Sequence, residues 1–370
     1  MKIRGAVLDA VSENRPYART RPLTVTELEL DGPGPGELLV RIEVAGLCHS
    51  DLSVVDGSRP RPLPMLLGHE AAGIVEATGG GDLRGLRPGQ RVVMTFLPRC
   101  GRCAACATAG LTPCEAGTLA NVAGTLLSGQ RRLHRDGAVL HHHLGVSGFA
   151  TYAVVDARSV VAVDADVPPD VAAVLGCAVL TGGGALRNAG RPAPGQTVAI
   201  VGLGGVGMAA VLTALADEAI EVIGIDPSPD KLALARSWGV HTAFTPQEAL
   251  DSGLRAAVVI EAAGAIPAFE TALALTAPGG RTVTVGLPAP GRTAQISPLT
   301  LVAEGRTVIG SYLGSSVPAR DIPAYVDLWR SGRLPVERLV TGEISLEEVN
   351  AGMDALAEGR SVRSVIRFPG

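Results

Sequence analysis

Thr197-Val198-Ala199-Ile200-Val201-Gly202-Leu203-Gly204-Gly205-Val206-Gly207 is the stretch that decides the fold. Thr197 to Val201 is a continuous apolar run of the kind that is buried on both faces in a parallel sheet, and Val206 to Ala216 has helical character. Between them lies a G-x-G-x-x-G turn. Gly202 permits the tight turn, Gly204 lets a pyrophosphate approach the backbone and Gly207 allows close helix packing, so that the helix N-terminus faces an anion, and Gly205 within the same loop is taken with them as a coenzyme-binding residue. The strand Glu221 to Ile225 then leads into Asp226, about twenty residues on, where a carboxylate accepts hydrogen bonds from an adenosine ribose and repels a 2′-phosphate. The reading is an NAD site in preference to NADP. A glycine-rich turn without a ligand is the competing reading, and strand, helix and acid together weigh against it.

Working outward, Pro229 to Trp238 reads as the next helix, and Val258 to Ile260, Thr282 to Val285 and Thr307 to Ile309 as later strands. This alternation predicts a doubly wound α/β domain over residues 179–316. Upstream, residues 1–178 are short apolar runs punctuated by Gly and Pro. Leu38 to Val44, Gly73 to Ala77 and Arg91 to Met94 read as strands of a β-rich domain. Residues 317–370 form a helical tail, Ile322 to Ser331 and Leu346 to Ala357, closing with strand-like Val362 to Phe368, and are assigned to the first domain. There is no internal repeat or low-complexity segment.

A length of 370 residues fits two domains, and 46% hydrophobic with 18% charged residues is globular composition. The formal net charge of −4, with no cluster of basic residues, argues against a nucleic-acid partner. Lys2 and Lys231 are the only lysines. The start of the chain carries no secretory signal pattern, so a cytoplasmic location is expected. Val171 to Leu186, the most apolar stretch, is interrupted by Gly176 and Gly182 to Gly184, and no membrane span is expected.

Six cysteines are too few for a disulfide scaffold. Cys100, Cys103, Cys106 and Cys114 form C-x2-C-x2-C-x7-C, a spacing that suits a closed tetrahedral thiolate site and therefore a structural zinc. An iron–sulfur cluster is the alternative that thiolate count leaves open. Cys48 and Cys177 lie far apart, and spacing alone does not join them.

Cys48-His49-Ser50-Asp51, Gly68-His69-Glu70, the four-cysteine lobe, Gly176-Cys177 with Thr181-Gly182, and the Gly202 to Gly207 loop occur in one order. That order resembles the zinc-containing medium-chain alcohol dehydrogenases over essentially the whole chain. The resemblance implies a GroES-like catalytic domain beside a Rossmann coenzyme domain, two zinc ions, NAD, and reversible oxidation of an alcohol to an aldehyde or ketone. By that likeness Cys48, His69 and Cys177 hold the catalytic zinc, Ser50 relays a proton, Asp51 orients His69 and Glu70 stands behind the metal. For Ser50, helix capping is the competing role. The likeness also puts His49 and Arg363 on the pyrophosphate, Thr181 and Val206 on the nicotinamide, and Lys231 among the coenzyme contacts. Phe96, His143, Leu144 and Tyr312 would line the alcohol pocket. It further implies a homodimer or homotetramer, with Thr307 to Leu313 as the pairing edge.

Four features depart from the pattern. In length and cysteine lobe the chain resembles the glutathione-dependent formaldehyde dehydrogenase branch, yet Gly57-Ser58-Arg59-Pro60-Arg61 and Glu115-Ala116-Gly117-Thr118 replace that branch's glutathione-binding residues. The basic loop suits an anionic substrate. Ser53 stands where many relatives end the relay with a histidine, and His141-His142-His143 reads as a polar pocket rim, with proton relay or a metal site as alternatives. The nearer likeness is to bacterial general and nicotinoprotein-like alcohol dehydrogenases, some of which never release NAD. A reductase of activated double bonds and a non-catalytic binding protein are the competing functions.

Overall fold

A computed structural model describes residues 1–217 and 221–369. The chain separates into two units, Met1–Cys177 with Glu337–Gly370, and Ala178–Val336.

The first unit is built on two sheets. One has six strands, with Lys2–Leu8 at its centre between Leu23–Leu30 and Met65–Leu66. The other has seven and is organised by the ten-residue strand Glu37–Gly46. Leu38, Val40 and Ile42 alternate inward to join Val75, Val92, Met94 and Phe149 in one apolar cluster, as period-2 burial requires. One edge of this strand pairs along its length with Glu70–Thr78. The other edge is divided: Tyr152–Asp156 takes residues 37–41, and the C-terminal strand Arg363–Arg367 takes residues 44–46. The end of the chain is thereby stitched beside residues 44–48. Helix Val349–Ala357 supplies Val349, Met353 and Leu356 to the same cluster.

The second unit is a six-stranded, all-parallel sheet. Its spatial order is Thr242–Phe244, Glu221–Ile225, Thr197–Val201, Ala256–Glu261, Thr276–Thr284, Thr307–Gly310. Numbered within the unit this is 3-2-1-4-5-6, the doubly wound order, with its switch point between Thr197–Val201 and Ala256–Glu261. Helices Pro229–Ser237, Pro246–Asp251 and Pro298–Glu304 all start with proline after a Ser or Thr cap, at Ser228, Thr245 and Ser297.

Three expectations are corrected. The second domain boundary lies at 336/337 and not at 316/317, because helix Pro318–Arg330 buries Ile322, Tyr325 and Val326 in the parallel-sheet unit. Asn188 Nδ2 donates to Asp321 Oδ2 at 3.3 Å, and Ser316 Oγ donates to the Leu180 carbonyl at 2.9 Å. Second, glycines do not break the apolar segment: Pro169–Gly190 is one 22-residue helix, with π turns at Leu175–Val179 and Ala185–Gly190. It is long and apolar enough to cross a membrane by length and composition, but 89% of its apolar window is buried inside the protein. Third, the last strand of the sheet ends at Gly310, and Leu313, Gly314 and Ser315 then adopt left-handed φ values of 51°, 65° and 51°.

Candidate functional site

In the first unit, Cys48 follows the strand Glu37–Gly46 and caps helix His49–Val55 from an extended conformation. Asp51, fully buried one turn in, closes the capping box by accepting from the Cys48 N–H at 3.1 Å. The cap is therefore Cys48 and not Ser50. The other oxygen of Asp51 accepts from the Gly68 N–H at 3.2 Å and from His69 Nδ1 at 3.1 Å. Gly68 has φ of +92°, and a Cβ there would lie 2.4 Å from the Phe149 backbone nitrogen, so only glycine lets His69 turn inward at this point. With Nδ1 donating to Asp51, the His69 Nε2 lone pair is left for a metal, and Cys177 Sγ lies 3.4 Å from it. Cys177 is presented by the π turn Leu175–Val179, a distortion that recurs at functional sites.

The ligand atoms of Cys48, His69 and Cys177 all lie within 4.8 Å of one another. Around a tetrahedral zinc a sulfur and an imidazole nitrogen are about 3.6 Å apart and two sulfurs about 3.8 Å, from Zn–S near 2.3 Å and Zn–N near 2.0–2.1 Å. The donor set fits one such ion with a fourth position open. Electrostatics agree. The hydrogen bond from Cys177 holds the Cys48 thiol well below its ordinary range against the cost of burial, with Arg363 and His69 adding to the effect. Burial opposes charge on Asp51, yet His69 and His143 hold its carboxyl down to about 2. Burial pushes Glu70 up to about 7 despite the Arg363 guanidinium, whose Nε is 3.3 Å from Glu70 Oε1. Neither Glu70 oxygen has a hydrogen-bond partner among the described residues, and a cation in front of the buried carboxylate would meet that need.

Arg363 is itself buried and donates from Nη1 to the Leu47 carbonyl at 2.8 Å, so the structure sets it behind the ligand cluster. The three adjacent histidines do not form a rim. His142 is buried and its Nε2 accepts from the Arg132 N–H at 3.0 Å, with burial pressing its pKa down to about 3. His141 is half-buried against Gly124. His143 alone reaches the cluster: its Nδ1 stands 3.1 Å from Asp51 Oδ1, although the ring N–H is not directed at that oxygen. Phe96 and His143 both set a ring edge-on to His69, at 5.4 and 5.5 Å between centroids, and Leu144 is buried beside His143. Asn121, which sequence reasoning missed, donates from Nδ2 to the Phe96 carbonyl at 2.7 Å.

The second cluster is the cysteine lobe. Cys100, Cys103, Cys106 and Cys114 bring their sulfurs within 4.8 Å, with 3.9 Å for the pairs Cys100–Cys106 and Cys103–Cys114. Those separations are near the edge of a ZnS4 tetrahedron and too long for a disulfide, and all six cysteines are free thiols. In a cubane cluster each cysteine binds a different iron and the sulfurs stand further apart, so a single ion fits better. Backbone N–H groups of Cys100 and Gly117 donate to Cys114 Sγ, and the Arg102 N–H leads in drawing the Cys100 thiol down to about 6.

In the second unit, Gly204 caps helix Gly205–Leu215 without any side-chain cap, which leaves first-turn N–H groups open to an anion. A Cβ at Gly204 would meet nothing within 4 Å, whereas one at Gly207 would lie 1.8 Å from the Gly202 carbonyl oxygen. The loop thus has room for a phosphate on one side and tight packing on the other. Asp226 is buried and accepts from the Leu203 N–H at 2.8 Å and the Ser228 N–H at 2.9 Å, with Lys231 Nζ at 3.8 Å. Thr181 and Val206 also lie in this unit: a Cβ on Gly182 would come 2.1 Å from the Val206 carbonyl. Tyr312 opens the left-handed turn. Exposed His49 and half-buried Ser50 form the start of the helix capped by Cys48.

Two family profiles match, an alcohol dehydrogenase GroES-like domain at residues 34–165 and a zinc-binding dehydrogenase domain at residues 205–331. A Mycobacterium tuberculosis protein with the provisional name alcohol dehydrogenase D is 36% identical over 356 residues, covering 94% of this chain and 96% of its own length. Among solved structures, an alcohol dehydrogenase zinc-binding domain protein from Burkholderia ambifaria is 31% identical with a TM-score of 0.91, and benzyl alcohol dehydrogenase from Acinetobacter calcoaceticus is 28% identical with a TM-score of 0.89. Each of these two alignments covers 100% of both chains.

Proposed function

Since the chain belongs to the zinc-dependent medium-chain alcohol dehydrogenase family, we propose that it is an NAD-dependent alcohol dehydrogenase with one catalytic and one structural zinc, interconverting an alcohol and an aldehyde or ketone. The observation that carries this reading is the convergence of Cys48, His69 and Cys177 within 4.8 Å, with His69 Nδ1 held by buried Asp51.

Zinc held by these three residues supplies Lewis acidity, which brings the pKa of an alcohol hydroxyl toward neutrality. NAD bound at the glycine loop supplies the hydride acceptor. The protein's own groups do the rest. Asp51 fixes the tautomer and plane of His69, and Arg363 balances the charge of Glu70 and the two thiolates. Phe96, His143 and Leu144 exclude water beside His69. Ser50, two residues beyond a ligand, accepts the alcohol proton and passes it outward, and exposed His49 serves the pyrophosphate, a role that buried Arg363, held by Glu70 and the Leu47 carbonyl, does not take. Asp226 turns away a 2′-phosphate and so favours NAD. The cysteine lobe is the closed, structural site. The outermost strand Thr307–Gly310 is the edge for pairing with a second copy, and the helix Pro298–Glu304 that precedes it in the chain carries the exposed Leu299 and Val302.

The test is a panel of primary, secondary and aromatic alcohols, their carbonyl products, and enones, each with NAD and NADP, alongside zinc analysis and native mass spectrometry for retained coenzyme. Alcohol turnover with NAD and two zinc ions per chain is the expected result. Enone reduction without alcohol turnover would overturn it, and equal rates with NADP would remove the role given to Asp226.

A further inference from the structure

Glu261 ends the strand Ala256–Glu261 with its side chain buried in the second unit. The carboxylate collects three donors. Oε1 accepts from the Ala263 N–H at 2.8 Å and the Gly264 N–H at 2.7 Å, and Oε2 accepts from Thr284 Oγ1 at 2.6 Å. Its backbone carbonyl accepts from the Val285 N–H at 2.9 Å and lies 3.3 Å from the Gly286 nitrogen. One residue therefore ties the turn 262–264 to the end of the neighbouring strand Thr276–Thr284.

The position of that turn gives the arrangement a purpose. Thr197–Val201 and Ala256–Glu261 flank the switch point of the sheet, and in doubly wound folds a ligand lies in the crevice beyond the strand ends there. The Ala262 N–H donates to the Val201 carbonyl at 2.8 Å, and a Cβ on Gly202 would come 2.7 Å from the Ala263 nitrogen. The turn thus rests directly on the first glycine of the pyrophosphate loop. On its other side a Cβ on Gly286 would meet the Gly264 nitrogen at 2.2 Å and Glu261 Oε1 at 2.7 Å. Backbone is packed against backbone on both sides, and among the described residues the Glu261 carboxylate is the side chain that accepts from the Ala263 and Gly264 N–H groups.

We propose that Glu261 is a positioning residue for the coenzyme: by taking the Ala263 and Gly264 N–H groups inward, it fixes the wall that faces the dinucleotide across from the glycine loop. The proposal rests on the coenzyme reading of the second unit. Without the carboxylate, two partly buried N–H groups and one hydroxyl lose their acceptor, and the turn relaxes away from Gly202 to find others. An amide at this position keeps one oxygen for both N–H groups and can donate to the Thr284 hydroxyl, which is able to accept.

The experiment is titration of NADH fluorescence with wild-type protein, Glu261→Ala, Glu261→Gln and Thr284→Val, with thermal midpoint and zinc content measured on each. Glu261→Ala is expected to raise the dissociation constant about tenfold or more, Glu261→Gln less than about threefold and Thr284→Val an intermediate amount, zinc content being unchanged. A Glu261→Ala constant within about twofold of wild type overturns the proposal. So does an equal weakening in the Ala and Gln variants that follows a loss of thermal midpoint, since that marks a purely structural role. Should Glu261→Ala fail to fold, Thr284→Val decides, because it removes one donor and leaves the carboxylate; an unchanged constant overturns the proposal. A wild-type chain that binds neither NADH nor NADPH overturns the coenzyme reading itself, before any variant is compared.

Discussion

Asp51→Asn is the substitution that tests the metal site most directly, because the change is isosteric and its cost follows from three hydrogen bonds. One oxygen of Asp51 serves the Gly68 N–H and His69 Nδ1, and the other serves the Cys48 N–H. The amide keeps one oxygen and aims an NH2 either at the Cys48 N–H or at the His69 side. In both orientations a buried donor faces a donor. Losing one hydrogen bond to a charged acceptor costs about 1.5–3 kcal/mol, and at about 1.4 kcal/mol per factor of ten this is about ten- to hundredfold in zinc affinity. The same range is found for groups that orient metal-ligating histidines. Among the described residues no hydrogen bond joins Asp51 to the cysteine lobe, so the zinc proposed for the lobe serves as an internal control.

The assay is competition with a coloured chelator, which resolves release of two ions per chain. In the variant one ion is expected to leave at about ten- to hundredfold lower chelator concentration, while the other leaves as in wild type. Retention of both ions with wild-type resistance would refute the account of how His69 is held. Loss of both together would instead point to a general unfolding of the unit.

Three further outcomes follow from the geometry. Gly207→Ala sets a methyl 1.8 Å from the Gly202 carbonyl oxygen, so NADH binding measured by fluorescence should be lost while both zinc ions remain; retained binding would show that the loop does not carry the coenzyme. Zinc affinity at the catalytic cluster should fall as pH falls. In the metal-free chain burial resists charge on His69, but Asp51 and Cys48 raise its pKa well above 6.5, and the hydrogen bond to Cys48 followed by burial raises the Cys177 thiol. Metal must displace those protons, so chelator competition between about pH 6 and 8 should show affinity dropping by more than tenfold per unit of acidification, and a flat profile would contradict it. Finally, Leu299→Asp with Val302→Asp charges two side chains that are 76% and 83% exposed on the helix Pro298–Glu304 that precedes the edge strand in the chain. Light scattering should report a shift from dimer or tetramer toward monomer, and a wild-type chain that is already monomeric would dispose of the pairing edge.

What was legible in the sequence was what is local. The glycine loop and the cysteine lobe each draw their chemistry from one short segment, so spacing alone suggests them; in the one unit the four sulfurs converge, and in the other Gly204 caps the helix that follows the loop. Cys48, His69 and Cys177 come from three segments, and only the family resemblance joined them. Contacts between segments were invisible. Asp51 with His143 and Glu70 with Arg363 pair residues 92 and 293 positions apart, and nothing periodic links them. The domain boundary failed for another reason: helix Pro318–Arg330 is amphipathic and would suit either unit, and the decision lies in Tyr325 meeting Gly183. The glycine-rich helix Pro169–Gly190 survives because burial outweighs a propensity cost of about 1 kcal/mol per glycine.

The nonlocal part of the site is nonetheless determined, and sheet register determines it. Gly46 pairs with Glu70 on one side and with Val365 on the other. Extending both registers by two residues sets Cys48 opposite Gly68 and Arg363, and the Leu47 N–H donates to the Ser364 carbonyl at 2.9 Å as that extension requires. Ligand, ligand-bearing turn and charge-balancing arginine therefore occupy one row across three strands. A slip of one residue by the C-terminal strand would turn Arg363 to the opposite face and leave Glu70 buried with no cation behind it. Burying an uncompensated carboxylate costs several kcal/mol, roughly the 3–5 kcal/mol found when one partner of a buried pair is removed. The same ion pair that balances the site thus selects the register that builds it, and this gives a chain end some 300 residues distant in sequence a reason to return to the metal cluster.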